Sequence, residues 1–190
     1  MLICFLGAPC SGKTTTAARL FAALKDGGVA CEFVVEEARK YIARLRLINL
    51  PNSTTLTDYD QQEIMRYQSS SENLMIRSCG SEVIIVSDSS PLNALMYMSE
   101  NTRKITKWWL EEHMKKVDLA FVCEPFNYNS NLDPNRVHNY QQSLDLQKQL
   151  PDLIKEFAPS LKVINLVGDS DLRFKEALAA VTEVQVDFNK

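Results

Sequence analysis

The stretch Gly7-Ala8-Pro9-Cys10-Ser11-Gly12-Lys13-Thr14 constrains this chain more than any other feature. It follows five apolar residues, Leu2 to Leu6, and its spacing G-x-x-x-x-G-K-T is that of a phosphate loop set between a strand and a helix. Gly7 and Gly12 let the backbone turn so that successive amides face an anion, and the helix that follows adds its positive N-terminal end. The expected nucleotide cradle is therefore Gly7, Ala8, Pro9, Cys10, Ser11, Gly12, Lys13, Thr14 and Thr15. Within it Lys13 reaches the β and γ phosphates, and the Thr14 hydroxyl ligates magnesium. A plain strand-to-helix turn would account for the glycines but not for Gly12, Lys13 and Thr14 together.

Hydrophobic periodicity downstream of the loop alternates between strand and helix. Ala17, Leu20, Phe21 and Leu24 recur at helical spacing, and Asp26-Gly27-Gly28 supplies a stop. Strands are expected at residues 2–6, 29–36, 83–86, 119–123 and 163–167. The run Val83-Ile84-Ile85-Val86 is too continuous for a half-exposed strand and fits a central parallel one. Helices are expected at 58–78, 92–98, 102–116 and from about residue 137, the last broken or kinked at Pro151. A final helix follows Gly168. Right-handed crossovers between parallel strands then predict a three-layer α/β/α sandwich with a five-stranded parallel sheet, one domain over residues 1–190.

In such a sheet ligands sit off the carboxyl ends of the strands. The loop, Glu36, Asp88 and residues 124–136 all follow strands, so they converge on one edge. Asp88 is expected to hold magnesium beside Thr14, with an N-cap for helix 92–98 as the competing role. Residues 48–57 have loop composition and are assigned to the acceptor side, and residues 124–150 form a lid segment. Trp108 and Trp109 are adjacent and cannot share a helix face, so one is expected in the core. His113 stands among Glu111, Glu112, Lys115 and Lys116, the composition of a solvated face.

Composition narrows the class. The 190 residues are 45% hydrophobic and 24% charged, ordinary globular usage, and the net charge of −3 shows no basic excess of the kind that marks a nucleic-acid or anionic-membrane binder. Five widely spaced cysteines suit a reducing compartment and make no metal-binding spacing. The first apolar run is too short for a signal peptide or a membrane span, so a cytoplasmic protein without a membrane partner is expected.

Taken in order, the loop Gly7 to Thr14, Glu36-x-Ala38-Arg39, the Gln68-x-x-x-Glu72 helix, Asp88-Ser89-Ser90-Pro91-Leu92 and Asp133-x-x-Arg136 resemble the nicotinamide riboside kinase (NadR-type) group of small P-loop, AAA-like kinases. The resemblance covers nearly the whole chain. It implies a nucleotide-kinase-like fold, ATP and Mg²⁺ as cofactors, and a nucleoside-like or nucleotide-like acceptor that takes the γ-phosphoryl group on a hydroxyl. The catalytic set is then Lys13, Glu36, Asp88 and Arg136, with Thr14 and Asp88 at the metal and Glu36, Arg39 and Gln68 at the acceptor. Arg136 closes over the γ-phosphate. Glu36 rather than Glu37 works on the acceptor, because Glu37 opens a helix where it can simply face water. Two departures bear on acceptor identity: Ser89 stands where many relatives carry arginine, and Asn93 where many carry aspartate. Phage-borne relatives include kinases acting on hydroxymethylated pyrimidine in DNA, so DNA is the second acceptor class, served by Lys40, Arg44, Arg46 and Arg66. A P-loop ATPase switch with no acceptor is the reading from another class. Oligomeric state has no signature in the sequence.

Overall fold

The computed structural model describes residues 1–47, 56–126 and 138–188, with side chains described through residue 184. Five strands, β1 (Leu2–Leu6), β2 (Cys31–Val34), β3 (Ile84–Ser87), β4 (Leu119–Cys123) and β5 (Val163–Leu166), form one sheet in the order β2-β3-β1-β4-β5. Every pairing is parallel. The helices between them are α1 (Lys13–Asp26), α2 (Glu37–Leu47), α3 (Asp58–Ser78), α4 (Glu100–Met114), α5 (Tyr140–Gln147), α6 (Leu150–Phe157) and α7 (Ser170–Phe188). The α/β fold with a five-stranded parallel sheet is therefore as the alternating sequence pattern predicts.

Strand β1 is central because it is apolar on both faces. Successive side chains of a strand point to opposite sides, so Leu2, Cys4 and Leu6 enter one layer with Leu92, Leu95, Leu110 and Phe157, while Ile3 and Phe5 enter the other with Leu20, Ala177 and Val181. Phe5 meets Phe121 of β4 with ring centroids 5.2 Å apart. Register aligns Cys4 with Ser87 of β3 and with Ala120 of β4. The residues just past each strand, Gly7, Asp88 and Glu124, thus emerge at the same sheet edge.

Several local expectations are corrected. Strand β2 is limited to Cys31–Val34 rather than 29–36, because its only described partner strand, β3, stops pairing at Val34↔Ser87. The segment expected as helix 92–98 is a 3₁₀ turn, Pro91–Tyr97, and its cap is Ser90, whose hydroxyl accepts from the Leu92 N–H at 3.3 Å. Asp88 is therefore not the cap. At Pro151, expected to break or kink the helix, the break is found: α5 ends at Gln147 and Pro151 occupies the first turn of a second helix, α6, where its missing N–H costs nothing.

Neither tryptophan is in the core: Trp108 is 73% and Trp109 36% exposed. The buried face of α4 is Thr106, Leu110, His113 and Met114, an i, i+4, i+7, i+8 stripe that passes both by. His113 lies on that stripe and is 3% exposed, the reverse of the solvated position its charged neighbours suggest. Among the described residues, no helix is long and apolar enough to cross a membrane. The acceptor-side loop at 48–57 falls outside the described residues except for Leu56 and Thr57, and residues 127–137 of the lid segment, Arg136 among them, also lie outside.

Candidate active site

Two glycines shape the phosphate loop at positions where a side chain would meet backbone strain or a close contact. Gly7 has φ 143° and a Cβ there would lie 2.4 Å from the Cys123 carbonyl oxygen. Gly12 has φ 77°, directly before Lys13 opens α1, and a Cβ there would lie 2.9 Å from the Phe126 ring. Cys10, at φ 60°, is the one described non-glycine residue in the left-handed region, so the loop stores strain at its crest.

Distant side chains hold that strained backbone. Asn93 Oδ1 accepts the Gly7 N–H at 3.2 Å, while its amide donates to the Phe5 carbonyl at 3.3 Å and to Ser89 Oγ at 3.1 Å. Gln147 Oε1 accepts the Ala8 N–H at 2.8 Å. Behind the crest, the buried guanidinium of Arg173 donates to the Ser11 carbonyl at 2.6 Å and to Gly168 at 2.8 Å. None of these three residues was a sequence candidate as a loop support. Lys13 Nζ donates to the carbonyls of Gly7 at 2.8 Å and Ala8 at 3.0 Å, which aims the ammonium along the inner side of the loop.

Asp88 faces this loop from the end of β3. It is 3% exposed and its Oδ1 has no hydrogen-bond partner. Burial, reinforced by the charge of Glu36, pushes its pKa up to about 6, against the Thr14 hydroxyl and the cations Lys13 and Arg39, which favour the carboxylate. A hydroxyl in the first turn of α1 and an orphaned carboxylate oxygen just past β3 are the hard oxygen donors that Mg²⁺ takes. Among the described residues no cluster of three or more His, Cys, Asp or Glu could hold a metal. The pair accordingly fits an ion that completes its shell with water and phosphate oxygens rather than one caged by protein.

Across from the loop, a cavity of about 280 Å³ runs from Gly7–Thr15 to α2, α3 and the 3₁₀ turn. Its far wall brings Glu36 and Arg39 together as an ion pair, Nε to Oε2 at 2.8 Å, next to apolar Ile42, Ile64, Met65 and Met96. Tyr97, whose phenol burial holds well above its ordinary pKa, meets His138 with ring centroids 5.6 Å apart. Burial also lowers the His138 pKa. Gln68 lines the same cavity, but its amide is engaged by protein: Oε1 accepts the Glu37 N–H at 3.0 Å, and Nε2 donates to Ser87 Oγ at 3.0 Å and Glu72 at 3.3 Å.

Glu37 does not face water as expected. It is buried, accepting from Ser71 Oγ at 2.9 Å and Lys40 Nζ at 2.8 Å, because the first turn of α2 packs against α3. It is absent from the cavity wall, whereas Glu36 is on it. Of the other cations near α2 and α3, Arg66 pairs with Glu63 through two bonds of 3.0 and 2.8 Å, and Arg44 stands over the Tyr67 ring at 5.6 Å.

A phosphate loop on a central parallel strand, with an acidic residue ending the neighbouring strand, defines a P-loop α/β domain. The chain belongs to the AAA domain family, which it matches over residues 2–171. Its fold is similar to a crystal structure of NadR protein in complex with NR, at TM-score 0.71 and 19% identity over 96% of this chain and 50% of that one. It is likewise similar to NadR protein in complex with NAD and AMP-PNP, at TM-score 0.70 and 18% identity over 96% of this chain and 48% of that one. The chain thus spans about half the length of these structures, and at such identity the likeness is one of fold. No curated protein matches.

Proposed function

We propose that this chain is an ATP-dependent kinase that transfers the γ-phosphoryl group to a hydroxyl of a nucleoside-like or nucleotide-like acceptor. The observation that carries the reading is Asp88: a buried carboxylate with an unpartnered oxygen, between a complete phosphate loop and a cavity walled by a second carboxylate, Glu36. That fold neighbours were crystallised with NR and with AMP-PNP supports a site for both a nucleoside and a triphosphate.

Phosphoryl transfer asks chiefly for positioning and charge neutralisation. Lys13 and the loop amides bind the triphosphate, and Arg173 holds the loop crest from behind. Thr14 and Asp88 would hold Mg²⁺, which would supply positive charge to neutralise the phosphates. Glu36 orients the acceptor hydroxyl and takes its proton late in transfer, and its ion pair places Arg39 where charge develops on the acceptor side. Gln68 keeps Glu36 in place through the Glu37 amide. The family resemblance in sequence also assigns Arg136 to the γ-phosphate, and loop composition assigns residues 48–57 to the acceptor side. The protein works in the cytoplasm.

A small acceptor suits the cavity better than DNA, since Lys40 and Arg66 are already neutralised by Glu37 and Glu63. The test is transfer of label from γ-labelled ATP to nucleosides, to nucleotides and to DNA bearing hydroxymethylated pyrimidine. Labelling of a free nucleoside or nucleotide bears the proposal out. Labelling of DNA alone, with a steep salt dependence, would select the DNA reading, and hydrolysis without transfer to any acceptor would select the ATPase switch.

A further inference from the structure

Helix α3 buries a carboxylate that the transfer scheme does not use. Glu72 is 0% exposed, and a buried charge of this kind persists only where donors surround it. Here four do. The Ser87 hydroxyl at 2.7 Å, the Gln68 amide at 3.3 Å and the Cys4 thiol at 3.8 Å reach Oε1, and His113 Nε2 lies 2.6 Å from Oε2. One proton lies between His113 Nε2 and Glu72 Oε2 and completes the set of contacts. Its Nδ1 has no partner, and the Trp109 ring stacks on it at 6.0 Å between centroids.

Two of these donors lead straight to the site. Ser87 immediately precedes Asp88 in the chain. Gln68, bonded to both Glu72 and Ser87, accepts the N–H of Glu37, the residue immediately after Glu36. Glu36, on the cavity wall, and Asp88, just past β3, are thus each one peptide link from a network centred on Glu72. Two carboxylates repel when both are ionised, so contacts made outside the cavity bear on their separation.

We propose that Glu72, braced by His113, is a positioning residue that fixes the distance between Glu36 and Asp88 and so aligns the acceptor side of the site with its metal side. Its catalytic consequence rests on the kinase reading above, but its structural consequence does not. A glutamine at position 72 keeps the shape and turns one oxygen into a donor. That donor would face Ser87 and Gln68, or would face His113 and force a proton onto the partnerless Nδ1. The first case loses an arm of the brace, and the second leaves a buried N–H without an acceptor.

The test combines amide hydrogen exchange with kinetics in the wild type, Glu72→Gln and Ser87→Ala. Both variants are expected to exchange the Glu37 and Asp88 amides about 10-fold faster while Phe121 in β4 stays protected. The kcat should fall about 10-fold or more with KM for ATP within about 2-fold, since misplacement of reacting groups acts on turnover. Unchanged exchange at Glu37 and Asp88 overturns the proposal. So does equal acceleration at Phe121, the mark of general loosening, or a wild-type kcat. Should Glu72→Gln fail to fold, Ser87→Ala decides, because it deletes a single hydroxyl. A wild-type protein that transfers phosphoryl to nothing would refute the kinase reading and leave the exchange result to judge the brace alone.

Discussion

Arg173 and Ser11, 162 residues apart in the chain, meet at 2.6 Å where the guanidinium donates to the carbonyl at the crest of the phosphate loop. The same guanidinium reaches the Gly168 carbonyl past the end of β5, so one buried cation ties the loop to the opposite half of the sheet. The hydrogen bonds are charge-assisted, and their positive end sits behind the phosphate cradle.

Arg173→Met should therefore weaken ATP binding by about 10-fold, the scale of one lost charged hydrogen bond. Arg173→Lys should recover part of the loss, since it restores charge without the second bond. Calorimetric titration with a non-hydrolysable ATP analogue measures both, and equal affinity in all three proteins would reduce Arg173 to a packing residue.

Asp88 makes a prediction about pH. Its folded pKa of about 6 lies above the ordinary carboxylate value of 3.8, so the folded state favours its protonated form. The stabilisation this gives is complete below about pH 4 and is lost as pH rises through about 6. Asp88→Asn removes that titration, and the metal-free variant should melt higher than wild type at pH 8, with the difference shrinking towards pH 4. The same variant should lose most of the Mg²⁺-dependent gain in nucleotide affinity. Melting curves across pH with and without Mg²⁺ check both halves.

Glu36 and Glu37 should part company. Glu36→Gln leaves its ion pair with Arg39 weakened but removes the carboxylate on the cavity wall, and kcat should fall roughly 10²-fold with ATP affinity little changed. Glu37→Gln disturbs a buried contact with Lys40 and Ser71 away from the cavity, so it should lower the melting temperature while kcat stays within about a few-fold of wild type. A kcat loss confined to Glu37→Gln would move the acceptor base to the wrong side of β2.

What was legible in the sequence was what is local. The phosphate loop, the apolar strands and the acidic strand end are each written in a few consecutive residues, and the sheet edge that gathers them follows from parallel topology. The supports of the site are not local. Asn93, Gln147 and Arg173 reach the loop from 86, 139 and 162 residues away, and an isolated Asn, Gln or Arg has no signature. His113 is hidden for a related reason. Its nearest neighbours in sequence are charged, yet the face it shares is set by Thr106, Leu110 and Met114, and only the 3.6-residue period reveals that. The place of Glu37 at a helix start points to water, and only the packing of α2 on α3 buries it.

The central claim is that the γ-phosphoryl group leaves ATP for an acceptor hydroxyl in the cavity between Lys13 and Glu36. Quantifying label transferred from γ-labelled ATP to a panel of nucleosides and nucleotides, in wild type and in Lys13→Ala, tests it most directly. Lys13 bonds only its own loop among the described residues, so the variant should fold. The account predicts a labelled nucleoside or nucleotide with wild type, and transfer reduced by orders of magnitude with Lys13→Ala. Near-normal transfer by the folded variant, or release of free phosphate with no labelled acceptor in wild type, would contradict it.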